Sequence, residues 1–395
     1  MSGSAASNND ELINPQRQTS LADCLRSVHP VSTATSTTTF WRAAFTNVSC
    51  AEYWYRYSST TTGETKNPDH NNVCRAVAYF GSCAVFQWAR EKGFPWDRAT
   101  FVWAARSGNM EILKFAHANG CPWNENACNS AAWYGHLDAL KWLRQQGCPW
   151  GVWTCAFAAE GGNLHVLKWA HANGCPWNQL TCALAALFGH LELLQWARAN
   201  GCDWNSMTCT AAATGGHLHV LKWARDNGCP WGAITCAMAA ECNHMEVLQW
   251  ARDHGCPWDS ATCSKAASNG HLRVLQWARE NGCVWNKETC ARAAERGHFE
   301  ILQWAHEHGC PWDATTCSSA AKGGHLVILK WAHEQGCPWD ERTCENAAKA
   351  GHLEVLKWAR SKQCPWDETT SNAAEENGHS HVLEWALDNG CLITI

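Results

Sequence analysis

The sequence predicts an all-α fold, a curved solenoid of about twelve stacked helix–turn–helix repeats. The first observation is a 27-residue period that runs from residue 67 to residue 390 without insertion or deletion. The second is a pair of helix signals inside each period, and the third is an atypical first and last copy. Atypical ends are typical of stacked arrays, because an end repeat faces water on one side.

A closing residue recurs every 27 positions and is Gly in every copy but one. The closing residues are Gly93, Gly120, Gly147, Gly174, Gly201, Gly228, Gly255, Gly282, Gly309, Gly336, Gln363 and Gly390. Between them the consensus reads C-P-W-D/N-x-x-T-C-x-x-A-A-x-x-G-H-L-x-V-L-K/Q-W-A-R/H-x-x-G. The first copy lacks the Cys-Pro-Trp start and the His, and the last copy has Ser371 in place of a Cys.

The first helix of each copy is expected to begin after an Asp or Asn at the fourth position, because both side chains cap helix N-termini. Residues at this position include Asp259, Asn286, Asp313 and Asp340. The helix should end at a Gly in the left-handed conformation. Residues at that end include Gly135, Gly189, Gly216 and Gly270, with Asn243, the next most tolerant residue, in one copy.

The second helix is expected to begin at the His and to run through L-x-V-L-K-W-A-R, whose apolar residues recur at helical spacing. The Cys-Pro-Trp start then lies in the loop between copies, where Pro restricts the backbone at a chain reversal. One Trp in this loop and one on the second helix are expected to pack each copy against its neighbour. Each buries roughly 200 Å², which offsets the weak stability of short helices.

The chain has 25 Cys residues, most at the first and eighth positions of the copies. No C-x-x-C pair occurs, so the spacing does not favour a zinc site. Phe94 and Phe101 replace the two Cys in one copy, and a core position accepts Phe whereas a metal-ligand position does not. We therefore predict reduced thiols that are buried as small apolar groups, and no metal.

Nine His residues recur at the sixteenth position, where other copies have Ser82, Asn109 or Asn163. Because Ser and Asn are helix N-capping residues, we predict that each His also bonds the backbone at the start of its own second helix. Reactive residues that recur in every copy are scaffold, and no phosphate-binding Gly-rich loop is present. The sequence therefore predicts no enzyme and no cofactor.

The net charge of −5 and the absence of a basic block do not favour nucleic acid or anionic lipid as a partner. No apolar run reaches the roughly 18 residues of a membrane helix, and the N-terminus does not resemble a secretory signal. With so many unpaired thiols, we expect a location in the cytoplasm, with the nucleus as the alternative. We also expect a monomer.

The segments "AAKAGHLEVLKWARSKQ" and "AAERGHFEILQWAHEHG" resemble the helical core of the ankyrin repeat, A-A-x-x-G-H-x-E-V-V-x-x-L-L-x-x-G. "GCDWN" at residues 201–205 is similar to the ankyrin G-A-D-x-N. The copies are about six residues shorter than the usual ~33. The missing residues are those of the projecting β-hairpin finger. Fingerless arrays of this Cys-Pro-Trp variety are similar to those of giant viruses and of some protists and algae.

This resemblance implies a protein–protein interaction scaffold or adaptor that contacts its partner through the concave row of first helices. Function should depend on the positions of the first helix that vary between copies. The residues at these variable positions are apolar from about residue 95 to residue 240 and polar after residue 256. The candidate partner-binding residues are Trp103, Trp133, Tyr134, Trp153, Phe157, Leu180, Leu184, Leu187, Phe188, Met207, Ile234 and Met238. Packing inside the array is the alternative interpretation of the same residues, since a position on a helix does not settle exposure.

The remaining chain consists of a Ser/Thr-rich region at residues 1–66 and a tail at residues 391–395. Residues 1–39 are expected to be disordered, and residues 39–57 carry enough aromatic side chains to form a helix that caps the first copy. Two other functions stay open at this point. One is a substrate adaptor for a ubiquitin ligase, and the other is a zinc- or redox-responsive Cys/His-rich protein.

Overall fold

The computed structural model describes residues 70–393, together with residues 48, 49, 51, 52 and 55. The disorder predicted for residues 1–39 and most of the predicted helix at residues 39–57 lie outside the described residues. Within residues 70–393 the chain forms 24 α-helices and no β-strand, which confirms the all-α solenoid. The chain divides into two compact units: unit 1 extends to Trp150, and unit 2 begins at Gly151.

Unit 1 contains three helix pairs in its described part. They are α1 (His70–Phe80), α2 (Cys83–Glu91), α3 (Arg98–Ser107), α4 (Met110–Ala118), α5 (Glu125–Trp133) and α6 (Leu137–Gln145). The first helices pack side by side, α1 on α3 and α3 on α5, and each also packs on the second helix that follows it. Tyr55 contacts this unit edge-on at Trp88 and Phe94, with ring centroids 6.1 and 5.7 Å apart.

Unit 2 contains nine helix pairs with the same order. They are α7 (Val152–Glu160), α8 (Leu164–Ala172), α9 (Gln179–Leu187), α10 (Leu191–Ala199), α11 (Ser206–Thr214), α12 (Leu218–Asp226), α13 (Ala233–Glu241), α14 (Met245–Asp253), α15 (Ser260–Ser268), α16 (Leu272–Glu280), α17 (Lys287–Glu295), α18 (Phe299–Glu307), α19 (Ala314–Lys322), α20 (Leu326–Glu334), α21 (Glu341–Lys349), α22 (Leu353–Ser361), α23 (Glu368–Glu376) and α24 (Ser380–Asp388). Here too the odd-numbered first helices form one continuous row, α7 to α23.

The predicted helix ends are confirmed with one exception. Asn286 and Asp313 accept a hydrogen bond from the backbone N–H two residues later, as N-capping residues do. Asp340 does not cap α21, because its carboxylate accepts from the Arg342 guanidinium instead. At the other end Asn243 has φ +62°, the left-handed conformation predicted for this position.

The His residues join consecutive repeats, and the prediction that they cap their own helices is wrong. The Nε2–H of His244 donates to the carbonyl of Thr214, 30 residues earlier, at 3.0 Å, and His271 donates likewise to Glu241 at 3.0 Å. Neither side chain bonds the start of its own helix. Ser82 and Asn109 at the same repeat position do cap: Ser82 accepts from the Val85 N–H, and Asn109 Oδ1 accepts from two backbone N–H groups of α4. An imidazole reaches farther than an amide, so it bonds the preceding repeat instead.

The thiols form a second recurrent bond between repeats. Cys229 Sγ donates to the carbonyl of Asn205 at 3.4 Å, and Cys256 Sγ donates to that of Gly232 at 3.5 Å. Of the described Cys residues only Cys83 and Cys242 are not buried. Cys74 has no other Cys among the groups that shift its pKa, and burial raises the pKa of this thiol to about 11. The repeated thiols are thus buried core groups, as predicted.

In most repeats, the Trp of the loop packs against the Trp of the second helix. In the repeat at residues 229–255, the loop Trp231 meets the helix Trp250 edge-on, with ring centroids 5.9 Å apart. The guanidinium of Arg225, from the preceding repeat, lies 4.1 Å over the Trp231 ring and donates to the carbonyl of Cys229. A cation on a Trp face adds to the apolar burial, so this stack helps to hold neighbouring repeats together.

Candidate functional site

Several exposed apolar side chains of unit 2 lie on or directly after four successive first helices. We define the apolar stripe as nine residues of the repeats that contain α7, α9, α11 and α13: Trp153, Phe157, Leu180, Leu184, Leu187, Phe188, Met207, Ile234 and Met238. Trp153 is 47% exposed, Met207 and Ile234 are each 42% exposed, and Phe188 is 39% exposed. Among the described residues these are half of the large apolar side chains that are exposed, and they lie on four successive repeats.

The remaining stripe residues are less exposed. Phe157, Leu180, Leu187 and Met238 are half-buried. The Phe157 ring packs on Trp153 with centroids 5.7 Å apart, which joins the first two turns of α7 into one surface. Leu184 is only 1% exposed, so it belongs to the core and is not a surface residue. It lies in the middle of α9, which packs against α7 on one side and α11 on the other.

The three candidates of unit 1 form a different surface. Trp103, Trp133 and Tyr134 are half-buried, and Trp133 packs on Tyr134 with ring centroids 5.1 Å apart. Trp103 meets Tyr79 of α1 edge-on at 5.3 Å. These rings surround Arg106, which sequence reasoning did not select. The signal was available, because Arg106 is a lone cation at a position where the adjacent repeats have aromatic residues.

Charged side chains replace the stripe on the first helices after α13. Lys265 pairs with Glu241 of the preceding repeat at 3.0 Å, and Lys322 pairs with Glu295 at 2.7 Å. Burial alone would raise the pKa of Glu295, but its bonds to Lys322 and Arg292 outweigh that and lower it. Many charges of this segment are therefore already compensated inside the array, across repeat borders.

A buried carboxyl group lies at the end of α7. Glu160 is 4% exposed, and burial raises its pKa to about 7. Its backbone carbonyl accepts the Nε2–H of His190 from the next repeat at 3.0 Å. The repeat pattern did not predict this burial, because the thirteenth position holds aromatic, apolar, polar and charged residues in different copies.

Neither a metal centre nor a membrane span emerges from the described part of the chain. In it, no group of three or more His, Cys, Asp or Glu side chains is placed to hold a metal ion. None of its helices has the length and apolar character needed to cross a membrane. The chemistry that this surface offers is apolar contact, with charge at defined points.

Comparison with known proteins identifies the repeat. Residues 101–144, which span α3 to α6, match the family model described as ankyrin repeats in many copies. This stretch of the chain is therefore similar to ankyrin repeats. The repeat of this chain is 27 residues long, and residues 70–393 contain no strand, so the described copies have no β-hairpin finger. Ankyrin repeats are in general protein-interaction modules and are typically non-catalytic.

Two kinds of solved structure are similar to this chain, whereas no curated protein matches it. The human ASB11 ankyrin repeat domain has 16% sequence identity, with 40% of this chain and 84% of that chain covered and a TM-score of 0.33. The pentatricopeptide repeat protein PPR10, in complex with an 18-nt psaJ RNA element, has 14% identity, with 91% and 63% covered and a TM-score of 0.38. A second PPR10 structure, of the C256S/C430S/C449S variant with the same RNA element, gives the same values.

Proposed function

We propose that this ankyrin-repeat protein is a non-catalytic scaffold that binds a partner protein through the apolar stripe of unit 2. The observation that carries the proposal is the exposure of Trp153, Phe188, Met207 and Ile234 on one row of helices. Contiguous apolar surface costs free energy in water and typically marks an interaction site. Aromatic residues and Met are enriched at the centres of such sites.

The partner segment should itself be apolar on one face. The stripe runs across four parallel first helices, so a helix or extended segment that crosses them would contact Trp153 first and Ile234 last. An amphipathic helix presents apolar side chains at positions i, i+3, i+4 and i+7, which suits a surface of this kind. The Glu241–Lys265 ion pair lies at the end of the stripe and limits the apolar contact there.

The test is an affinity pull-down read by mass spectrometry with two matched baits. The stripe variant carries Trp153→Ser, Phe188→Ser, Met207→Ser and Ile234→Ser. The control variant carries Val284→Ser, Val327→Ser and Leu392→Ser, whose side chains are 60%, 67% and 71% exposed but do not form a row. Circular dichroism and melting curves verify that both variants are folded. We expect the partner to be lost from the stripe variant and kept by the control. A folded stripe variant that retains every partner refutes the proposal.

We also propose a cytoplasmic location, because a reducing compartment keeps its many thiols unpaired, and a monomeric state. Sedimentation of the purified protein and fluorescence microscopy test these two points. The pull-down also reads the alternatives. A ligase subunit captured with the partner would indicate a ubiquitin-ligase adaptor, and RNA recovered from the bait would contradict a protein partner. Elemental analysis for zinc tests the metal-responsive alternative. The hydrogen bonds from the repeated thiols to backbone carbonyls argue against that alternative.

A further inference from the structure

Arg106 lies inside a ring of aromatic side chains on the first-helix face of unit 1. Its guanidinium carbon is 5.1 Å from the centre of the Tyr79 ring, 4.6 Å from that of Trp103 and 4.7 Å from that of Tyr134. The three rings come from three successive repeats, with Tyr79 on α1, Trp103 on α3 and Tyr134 directly after α5. A guanidinium stacks well on aromatic faces, so this arrangement holds the cation in one orientation.

The backbone beneath this cluster is also fixed across the repeats. The carbonyl of Arg106 accepts the Nε2–H of His136 at 3.0 Å, and the Ser107 hydroxyl donates to the carbonyl of Ala78 at 3.1 Å. The side chain therefore starts from a rigid position at the C-terminal end of α3. A site held in this way loses little conformational freedom when a ligand binds, which favours affinity.

The positive charge of Arg106 is not compensated by an acid within the described residues. No ion pair there includes it, and its Nε is buried without a hydrogen-bond acceptor. Arg75, on the same face, is different because it pairs with Asp97. The buried Nε is out of reach of a ligand, so an incoming acceptor would bond the terminal guanidinium nitrogens, which make no hydrogen bond within the described residues. Arg98 and Glu125 lie at the opposite, N-terminal ends of α3 and α5.

We propose that Arg106 binds a carboxylate of a peptide segment whose neighbouring side chains are apolar. A planar guanidinium matches a carboxylate with two parallel N–H···O bonds, and charge-assisted bonds of this kind are strong. One cation suits a group with a single negative charge, whereas a phosphate carries nearly two and is typically bound by several arginines. Tyr79, Trp103 and Tyr134 supply the apolar wall for the residues beside the carboxylate.

This inference goes beyond the proposed function, because it concerns unit 1 and does not depend on the apolar stripe. The carboxylate comes either from an Asp or Glu side chain or from the C-terminus of the partner. Both sources have the same chemistry, and the experiment separates them.

The experiment uses a synthetic library of fluorescein-labelled dodecapeptides, each with apolar and neutral residues and one anionic group. Binding to the full-length stripe variant is measured by fluorescence polarisation, so that the apolar stripe does not contribute. The anionic group is a Glu, a free C-terminus on an otherwise neutral peptide, or a phosphoserine. For the tightest peptide of each class the anion is neutralised, by Glu→Gln, by C-terminal amidation or by replacement with serine.

We expect a carboxylate peptide to bind best and its neutral version to bind about tenfold more weakly or worse, the range of a charge-assisted hydrogen bond. Arg106→Gln should bind the acid and the neutral peptide equally, while the control Arg98→Gln, at the exposed start of the same helix, keeps the preference. If Arg106→Gln is not folded, the proposal is tested with Arg106→Lys instead, together with the comparison of each acidic peptide and its neutral version on the protein that retains Arg106. A library without a binder, a preference for phosphoserine, or a carboxylate preference that survives in folded Arg106→Gln overturns the proposal.

Discussion

Replacing Gly351 by Ala is expected to destabilise its surroundings more than replacing Gly378 by Ala. The two glycines have almost the same left-handed backbone, with φ +76° and +72°. Ala in this conformation costs about 1–2 kcal/mol at either position. A Cβ on Gly351 would also lie 2.8 Å from Cε1 and Nδ1 of His379 in the next repeat, whereas a Cβ on Gly378 would meet nothing within 4 Å.

The difference between the two variants therefore isolates the contact between repeats. Forcing extra atoms into a packed site typically costs about 1–3 kcal/mol. We thus expect a loss of about 1–2 kcal/mol for Gly378→Ala and about 2–5 kcal/mol for Gly351→Ala. Asn243, which carries a Cβ at the equivalent position, indicates that the neighbouring imidazole can shift, so the contact costs a finite amount and does not prevent folding.

Native-state hydrogen exchange read by mass spectrometry is the suitable assay, because a long repeat array need not unfold in one step. Each variant is compared with the unaltered chain at its own helices, α21 and α22 for Gly351 and α23 and α24 for Gly378. An extra 1.4 kcal/mol corresponds to about tenfold faster exchange. Adding His379→Ala to Gly351→Ala should restore most of the extra loss. Equal losses in the two glycine variants, or no rescue, would refute the role we assign to this contact.

Three further predictions concern burial. Leu184→Ala should lower the free energy of unfolding by about 2–5 kcal/mol in urea titrations, because the side chain is in the core. Met207→Ala should lower it by less than about 1 kcal/mol, and equal losses would contradict the assignment of Met207 to the surface. Burial lowers the pKa of His271 below its ordinary 6.5, so the folded state binds that proton more weakly than the unfolded state. The free energy of unfolding therefore falls as the pH drops below about 6.5, and His271→Gln should make the melting temperature less dependent on pH. Iodoacetamide at pH 8 should label Cys83 and Cys242 before the buried repeat thiols of residues 70–393. Peptide mapping measures the labelling of each Cys, and uniform labelling would contradict this prediction.

The repeat pattern was sufficient to predict the fold because each element carries its own local signal. Asp313 and Asn286 cap their helices as their types predict, and Asn243 adopts the left-handed backbone that explains its exchange with Gly. These features depend on a few adjacent residues. The same holds for the buried thiols, since the exchange of Cys for Phe94 already indicated an apolar environment.

The partners of long side chains were not predictable in the same way. His244 and Asn109 occupy the same repeat position, yet the first reaches the preceding repeat and the second caps its own helix. The distance across a repeat border decides between these outcomes, and a single sequence does not contain that distance. For the same reason the sequence did not separate exposed Met207 from buried Leu184, or reveal that aromatic rings from three repeats converge on Arg106.

The bonds between repeats have a consequence for how such a protein changes in length. Inside each unit, most borders use the same two donors, the first Cys and the Gly-following His, and the same two backbone acceptors. Backbone acceptors do not depend on the identity of the residue that supplies them. Removal or duplication of one 27-residue copy by unequal recombination therefore creates a border chemically equivalent to the one lost. Such a gene can gain or lose copies in whole steps, and selection can then act on the variable face alone.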